Sequence, residues 1–145
     1  MNRMECLFMA HLQNETLARS IVSAFLLPYN PSIDEMMEIK TMVAEAVGNA
    51  IIHGYEIDNQ GMVFLSLDMS EELELTILVK DEGVGIENIE LAKTPLYTSK
   101  AHLERSGMGF TIMESFADEC KVESILGGGT SVTMKKRLQF AHEQR

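Results

Sequence analysis

Hydrophobic and polar positions follow two periods along the chain, and each change of period marks an element. Leu7, Phe8 and Met9 form a short apolar run that predicts a first strand. From Asn14, a residue type that caps helices, the period lengthens. Leu17, Ile21, Ala24 and Phe25 then fall on one stripe of a helix reaching about Leu27. Pro28 and Pro31 end that helix and separate it from the next. The second helix opens at Ser32 or Asp34, and its apolar stripe is Met36, Ile39, Val43, Val47, Ala50 and Ile51. Gly54 is its natural end.

Beyond Gly61 the period drops to two. Val63, Leu65, Leu67 and Met69 alternate with more polar neighbours, and after Ser70, Glu71 and Glu72 so do Leu73, Leu75, Ile77 and Val79. This predicts an antiparallel hairpin that delivers the chain into Asp81. Residues 86–106 carry no period and read as a long loop with one short helix at most, a kind of segment that is usually functional in a compact domain. A helix from Gly107 to about Ala117 follows, then a second hairpin, 121–126 and 131–138, around a glycine turn. The order predicts an α+β fold: a two-layer α/β sandwich whose mixed, mostly antiparallel sheet carries helices on one face. At 145 residues the chain is expected to be one domain, 1–145.

The second helix has another face. Glu45, Asn49 and His53 recur every four residues, turned away from the apolar stripe. Asn is a mediocre helix former, costing up to about 0.7 kcal/mol against Ala, so its place mid-helix calls for a reason. A carboxylate and an amide oxygen on one face suit a hard cation such as Mg²⁺, which takes its other ligands from water and phosphate. The plain alternative is the wet side of an amphipathic helix. Seven of the ten glycines fall in three downstream clusters: Asp81-Glu-Gly83-Val-Gly85, Gly107-Met-Gly109, and Gly127-Gly-Gly129 followed by Thr130. Glycine lacks a Cβ, so it takes φ > 0 and lets a ligand approach the backbone.

Asp81, just past a strand, is either turn chemistry or a carboxylate placed to accept the amino proton of adenine. Gly107 and Gly109 open a helix, where backbone amides and the helix dipole favour an anion, and Arg105 stands immediately before. The Gly127 cluster reads as a hairpin turn more than a ligand contact, with Thr130 its one polar handle.

Composition narrows the field. A net charge of −10 argues against direct nucleic-acid binding, which leaves a basic footprint. No run approaches the ~20 apolar residues of a membrane span, and the first residues lack a signal-peptide pattern, so a cytoplasmic protein is expected. Cys6 and Cys120 have no metal-ligand spacing and read as reduced, strand-borne apolar residues.

In this order the motifs resemble the ATPase/kinase superfamily that unites gyrase, Hsp90, histidine kinases and MutL. Glu45-Ala-Val-Gly-Asn49-Ala-Ile-Ile-His53-Gly54 is similar to its N box, and the three glycine clusters to its later boxes. Within it, Asp81-Glu-Gly-Val-Gly-Ile86 and Leu103-Glu-Arg-Ser-Gly-Met-Gly-Phe-Thr-Ile-Met-Glu114 look like the anti-sigma serine kinases of spore-forming bacteria. The resemblance covers about 14–137. It implies a Bergerat-type ATP site in which Asn49 ligates Mg²⁺, Asp81 reads adenine with Thr130 nearby, and Gly83 and Gly85 shape the floor. Residues 86–106 would be the lid, with His53, Thr98, Lys100 and Arg105 also at the ATP, and Gly107 and Gly109 would offer amides to the phosphates. Glu45 would be the general base for a protein serine.

The resemblance also implies two protein partners, the sporulation sigma factor F, held inactive, and an anti-anti-sigma factor, phosphorylated on serine. Arg19 and Arg105 are the expected partner contacts, and a homodimer through the edge near residues 5–10 is implied. An ATP-gated sigma-binding module without kinase activity is one alternative, though it leaves Glu45 without a task. The related stress-response anti-sigma kinase is another. A gyrase- or Hsp90-like machine or a histidine kinase would need further domains or an upstream phosphoacceptor helix, which this chain is not expected to have.

Overall fold

The computed structural model describes residues 1–54, 61–86, 88–93 and 109–139, with His53 and Gly54 described by their backbone alone. Five strands form one sheet in the order β1-β2-β3-β5-β4: β1 is Asn2–Met9, β2 Met62–Met69, β3 Glu74–Asp81, β4 Glu119–Ile125 and β5 Gly129–Arg137. The sheet expected to be mixed and mostly antiparallel is antiparallel at each of its four pairings. Helices α1 (Asn14–Leu26) and α2 (Ile33–Asn49) pack against each other, and α4 (Gly109–Phe116) packs on α2. A four-residue α3 (Ile89–Ala92), capped by the Asn88 side chain, is the short helix expected after residue 86.

The hairpin alternation is realised as read. Val63, Leu65, Leu67, Met69, Leu75, Ile77 and Val79 are all buried, and they meet Ile39, Met42, Val43, Val47 and Ile51 of the second helix. Leu73 turns the hairpin with φ 64, a left-handed conformation that usually suits Gly or Asn. Its buried side chain and the bond from the Leu138 amide to its carbonyl hold it there.

The first helix departs from expectation in two ways. Asn14 does not cap it; the side-chain amide instead donates to the Met9 carbonyl, fastening the helix to the end of β1. The buried stripe is Ala18, Val22, Phe25 and Leu26, one position round from the expected set, so Leu17 and Ala24 face solvent and Ile21 is half-buried. An apolar residue on both sides of the true stripe made either phase readable.

Ser32, not Asp34, caps α2. It forms a capping box with Glu35: the Glu35 amide donates to the Ser32 hydroxyl (3.0 Å) and the Ser32 amide to the Glu35 carboxylate (2.9 Å). A cap of this kind is worth roughly 1 kcal/mol. The second Glu35 oxygen accepts from the Gln139 amide at 2.6 Å, which ties the chain beyond β5 to the start of α2.

Candidate functional site

The long second helix does not stay an α-helix to its end. From Ala50 to Gly54 it widens into a single π turn that packs against β3 and β5. Such turns are rare and are often found at functional sites. The four-residue spacing of Glu45, Asn49 and His53 therefore crosses from α into π geometry at its last step, and the His53 side chain lies outside the described residues. Glu45 and Asn49 stand one α turn apart and are half-buried.

What half-buries them is the start of α4. A Cβ on Gly109 would sit 3.0 Å from Asn49 Nδ2, 3.2 Å from Glu45 Oε2 and 3.4 Å from Asn49 Oδ1. The acid, the amide and the first residue of α4 thus converge, and glycine leaves them the room. The other end of α4 is pinned: Lys136 Nζ donates to the Phe116 carbonyl at 2.7 Å and lies 3.5 Å from Glu38 of α2, while Lys93 pairs with Glu114 at 3.3 Å.

A second cluster forms where β3 and β5 pair Asp81 directly with Thr130. Asp81 is buried. Its Oδ1 accepts from the Gly83 amide at 2.9 Å, and the Thr130 amide also donates to the carboxylate. Burial, the dominant influence, pushes this carboxyl above its ordinary pKa, and the two amides pull it part of the way back.

Two glycines make the cluster sterically possible. Gly129 has φ 96, and a Cβ there would strike the Asp81 carbonyl oxygen. Gly85 has φ 79, and a Cβ there would strike the Ile125 carbonyl oxygen. The Gly127 amide donates to the Val84 carbonyl at 2.7 Å. The Gly127 cluster is therefore the β4–β5 hairpin turn, as expected, and also a lid pressed on the Asp81–Gly85 loop, which was not expected. Ser124 of β4 joins the two: its hydroxyl contacts the Ile86 amide (2.7 Å), the Gly129 carbonyl (3.1 Å) and the Thr130 hydroxyl (2.9 Å). Nothing in the sequence singled it out, because a serine in an alternating strand reads as a solvated position.

The structure so groups Glu45, Asn49 and Gly109 in one place, and Asp81, Gly83, Gly85 and Thr130 in another, linked through the π turn against β3 and β5. Thr98, Lys100, Arg105 and Gly107 lie outside the described residues. Arg19 stands half-buried on α1, and α1 packs on α2 and β2. Among the described residues no three His, Cys, Asp or Glu side chains converge as a metal cage, and no helix is long and apolar enough to cross a membrane. Cys6 and Cys120 are free thiols on β1 and β4, and burial raises both, so neither is a ready thiolate.

A buried carboxylate at a strand end, backbone opened by positive-φ glycines and an acid–amide pair against a helix start are compatible with a nucleotide site. The profile of the histidine kinase-like ATPase domain family matches residues 8–136. The chain is 54% identical over 142 residues to the anti-sigma F factor of Clostridium acetobutylicum, covering 98% of each protein. It is 51% identical over 137 residues to that of Priestia megaterium, covering 94% of this chain and 93% of the relative. The chain belongs to the anti-sigma F factor family of histidine kinase-like ATPase domains.

Solved structures share the fold. The RsbU and RsbW domains of a Mycobacterium tuberculosis protein superpose with a TM-score of 0.70 at 17% identity, over 95% of this chain and 33% of that one. The histidine kinase domain of the Erythrobacter litoralis blue-light activated kinase gives 0.60 at 19% identity, over 89% and 63%. Family membership carries ATP binding and a kinase-like ATP-using domain.

Proposed function

We propose that this chain is an ATP-dependent anti-sigma factor that binds and inhibits the sporulation sigma factor F and phosphorylates its anti-anti-sigma antagonist on a serine. The anti-sigma half rests on relatives that carry this name across nearly their whole length. The observation that carries the kinase half is the meeting of Glu45, Asn49 and Gly109. A carboxylate beside the amide could serve a Mg²⁺ ion, but simple nucleotide holding needs no general base there, and phosphoryl transfer to a serine does.

In this reading one domain, 1–145, performs both roles in the cytoplasm, where a sigma factor works. Asp81 accepts the amino proton of adenine, with Thr130 beside it and Gly83 and Gly85 forming the floor. Asn49 holds Mg²⁺, which supplies charge neutralisation at the phosphates when bound. The amide of Gly109 at the start of α4, with that of Gly107, serves those phosphates, and His53 and Thr98 complete the nucleotide contacts. Glu45 takes the proton from the partner serine as its Oγ bonds to the γ-phosphorus and the bond to the β-phosphate oxygen breaks, releasing ADP. Lys100 and Arg105 stabilise the charge on the transferred group. Positioning and electrostatics of this kind are the main resource of phosphoryl transfer.

Arg19, on α1, and Arg105 contact the two protein partners in turn. A homodimer forms through the β1 side of the sheet. The test is transcription directed by sigma factor F in vitro. Added chain with Mg-ATP is expected to suppress it, and the unphosphorylated antagonist to restore it. Transcription that stays unaffected at an excess of chain over sigma factor would remove the anti-sigma reading.

A further inference from the structure

We infer that Lys136 is a positioning residue: by tying the end of α4 to Glu38 it sets where α4 lies along α2, and so holds the start of α4 at Glu45 and Asn49. The inference rests on the phosphoryl-transfer reading of that meeting and deepens it. It begins with spacing on α2. Glu38, Glu45 and Asn49 are seven and four residues apart. At about 100° per residue they fall on one strip of the helix, within about 40° of one another. The fourth helix runs along that strip in the opposite direction. Its first residue, Gly109, meets Glu45 and Asn49, and its last, Phe116, is joined through Lys136 to Glu38. The lengths agree. Seven steps separate Gly109 from Phe116 and seven separate Glu38 from Glu45, about 10.5 Å in each case.

Apolar packing does not by itself fix that alignment. Met42 of α2 and Met113 of α4 are fully buried members of the same core cluster. Burial is non-directional, and an unbranched methionine refits to a shifted neighbour at little cost. Hydrogen bonds are directional. The Lys136 side chain, only 13% exposed, donates to the Phe116 carbonyl at 2.7 Å and stands 3.5 Å from Glu38 Oε1. That carbonyl belongs to a helix end, where acceptors lack intrahelical partners and a cation complements the helix dipole. The base of the tie is a sheet position: Lys136 lies opposite Leu75 in the β3–β5 pairing. The same strand holds the chain just beyond α4, since the Asp118 amide donates to the Lys135 carbonyl and the Arg137 amide to the Asp118 carboxylate, each at 2.8 Å. Those bonds fix the end of α4 to the sheet, and Lys136 extends the tie to α2, the helix that carries the acid and the amide. Position at Glu38 thus becomes position at Glu45, two turns on. With the tie lost, a slide of α4 along α2 moves its first amide relative to both, and a misplacement of about 1 Å can cost roughly a hundredfold in rate.

The experiment measures transfer of labelled γ-phosphate from Mg-ATP to the anti-anti-sigma partner by the full chain, as kcat and KM, with melting curves giving the folded fraction. The proteins compared are the wild type, Lys136→Met, Lys136→Arg, Glu38→Gln, and Lys136→Met combined with Glu38→Gln. In Lys136→Met, which keeps the apolar stem and loses the charge, kcat per folded molecule is expected to fall about tenfold. Most of it is expected to return in Lys136→Arg, which restores a charged donor. The double variant is expected to be no slower than Lys136→Met, because both changes break the same tie. A merely structural role lowers the melting temperature and the folded fraction but leaves kcat per folded molecule unchanged. That result overturns the inference, as does a double variant in which the two losses multiply. If Lys136→Met does not fold, Glu38→Gln decides alone: its kcat must fall, and an unchanged value overturns the inference. A wild type that binds ATP and transfers no phosphate removes the kinase reading and the inference with it. The inference alone fails where the wild type transfers and the variants match it.

Discussion

Asp81 shows how one residue's surroundings set its chemistry. Its carboxylate is buried, and burial raises its pKa more than the two backbone amides lower it. For an acid whose folded pKa is raised, the contribution to stability is fully present below the ordinary carboxylate pKa and is lost as the pH rises through the folded value. The ionised form that reads an amino group is thus the form the fold disfavours. Acidification through the raised pKa protonates Asp81 at no cost to the fold from this residue, while it replaces a charged acceptor by a weaker neutral one. Affinity for ATP is expected to fall as the pH is lowered through that raised pKa, ahead of any loss of structure, and Asp81→Asn is expected to flatten the dependence. Calorimetric titrations across the range, with melting curves at each pH, check it. An affinity that holds constant until the fold fails would contradict the assignment.

Individual elements were legible in the sequence where one signal stood alone. The β2–β3 hairpin follows a strict two-residue alternation with one buried face, and it is where the pattern placed it. The phase of α1 was ambiguous because Leu17 and Ile21 flank the stripe that packs, and only the position of α2 decides between them. The candidate site was legible as residue types at motif spacing. The π turn, which packs on β3 and β5, was not, since helical periodicity alone carries no mark of it, and neither was the bridge made by Ser124. The start of α4 offers a direct test at this scale. Gly109→Ala should stabilise an isolated helix by up to about 1 kcal/mol, yet its methyl would lie 3.0 Å from Asn49 Nδ2 and 3.2 Å from Glu45 Oε2. Those are side-chain ends able to give way. The variant is expected to keep a melting temperature within a few degrees of the wild type and to lose at least tenfold in phosphoryl transfer. Transfer at the wild-type rate would show that the contact is not part of the site.

At the scale of the whole molecule, one face of the sheet is covered by helices, and among the described residues no helix packs on the other. On that second face Leu7 and Met9 of the edge strand β1 and Met62 of β2 remain 61%, 38% and 41% exposed, and β1 pairs on one side with β2. An exposed edge with apolar neighbours is a surface that proteins usually cover, and a second copy of the chain is the proposed cover. Leu7→Lys is expected to shift sedimentation from dimer to monomer while leaving the melting curve cooperative; an unchanged sedimentation coefficient would place the interface elsewhere. The central claim concerns what the converging side chains do. The direct measurement is transfer of labelled γ-phosphate from Mg-ATP to the anti-anti-sigma partner, comparing the wild type with Glu45→Ala. Label on a partner serine, reduced about 10²- to 10⁴-fold in the variant while ATP binding persists, is the result this account predicts. Equal transfer by both proteins would contradict Glu45 as the base, and no transfer by either, with ATP bound and the partner folded, would leave a nucleotide-gated binding protein in place of a kinase.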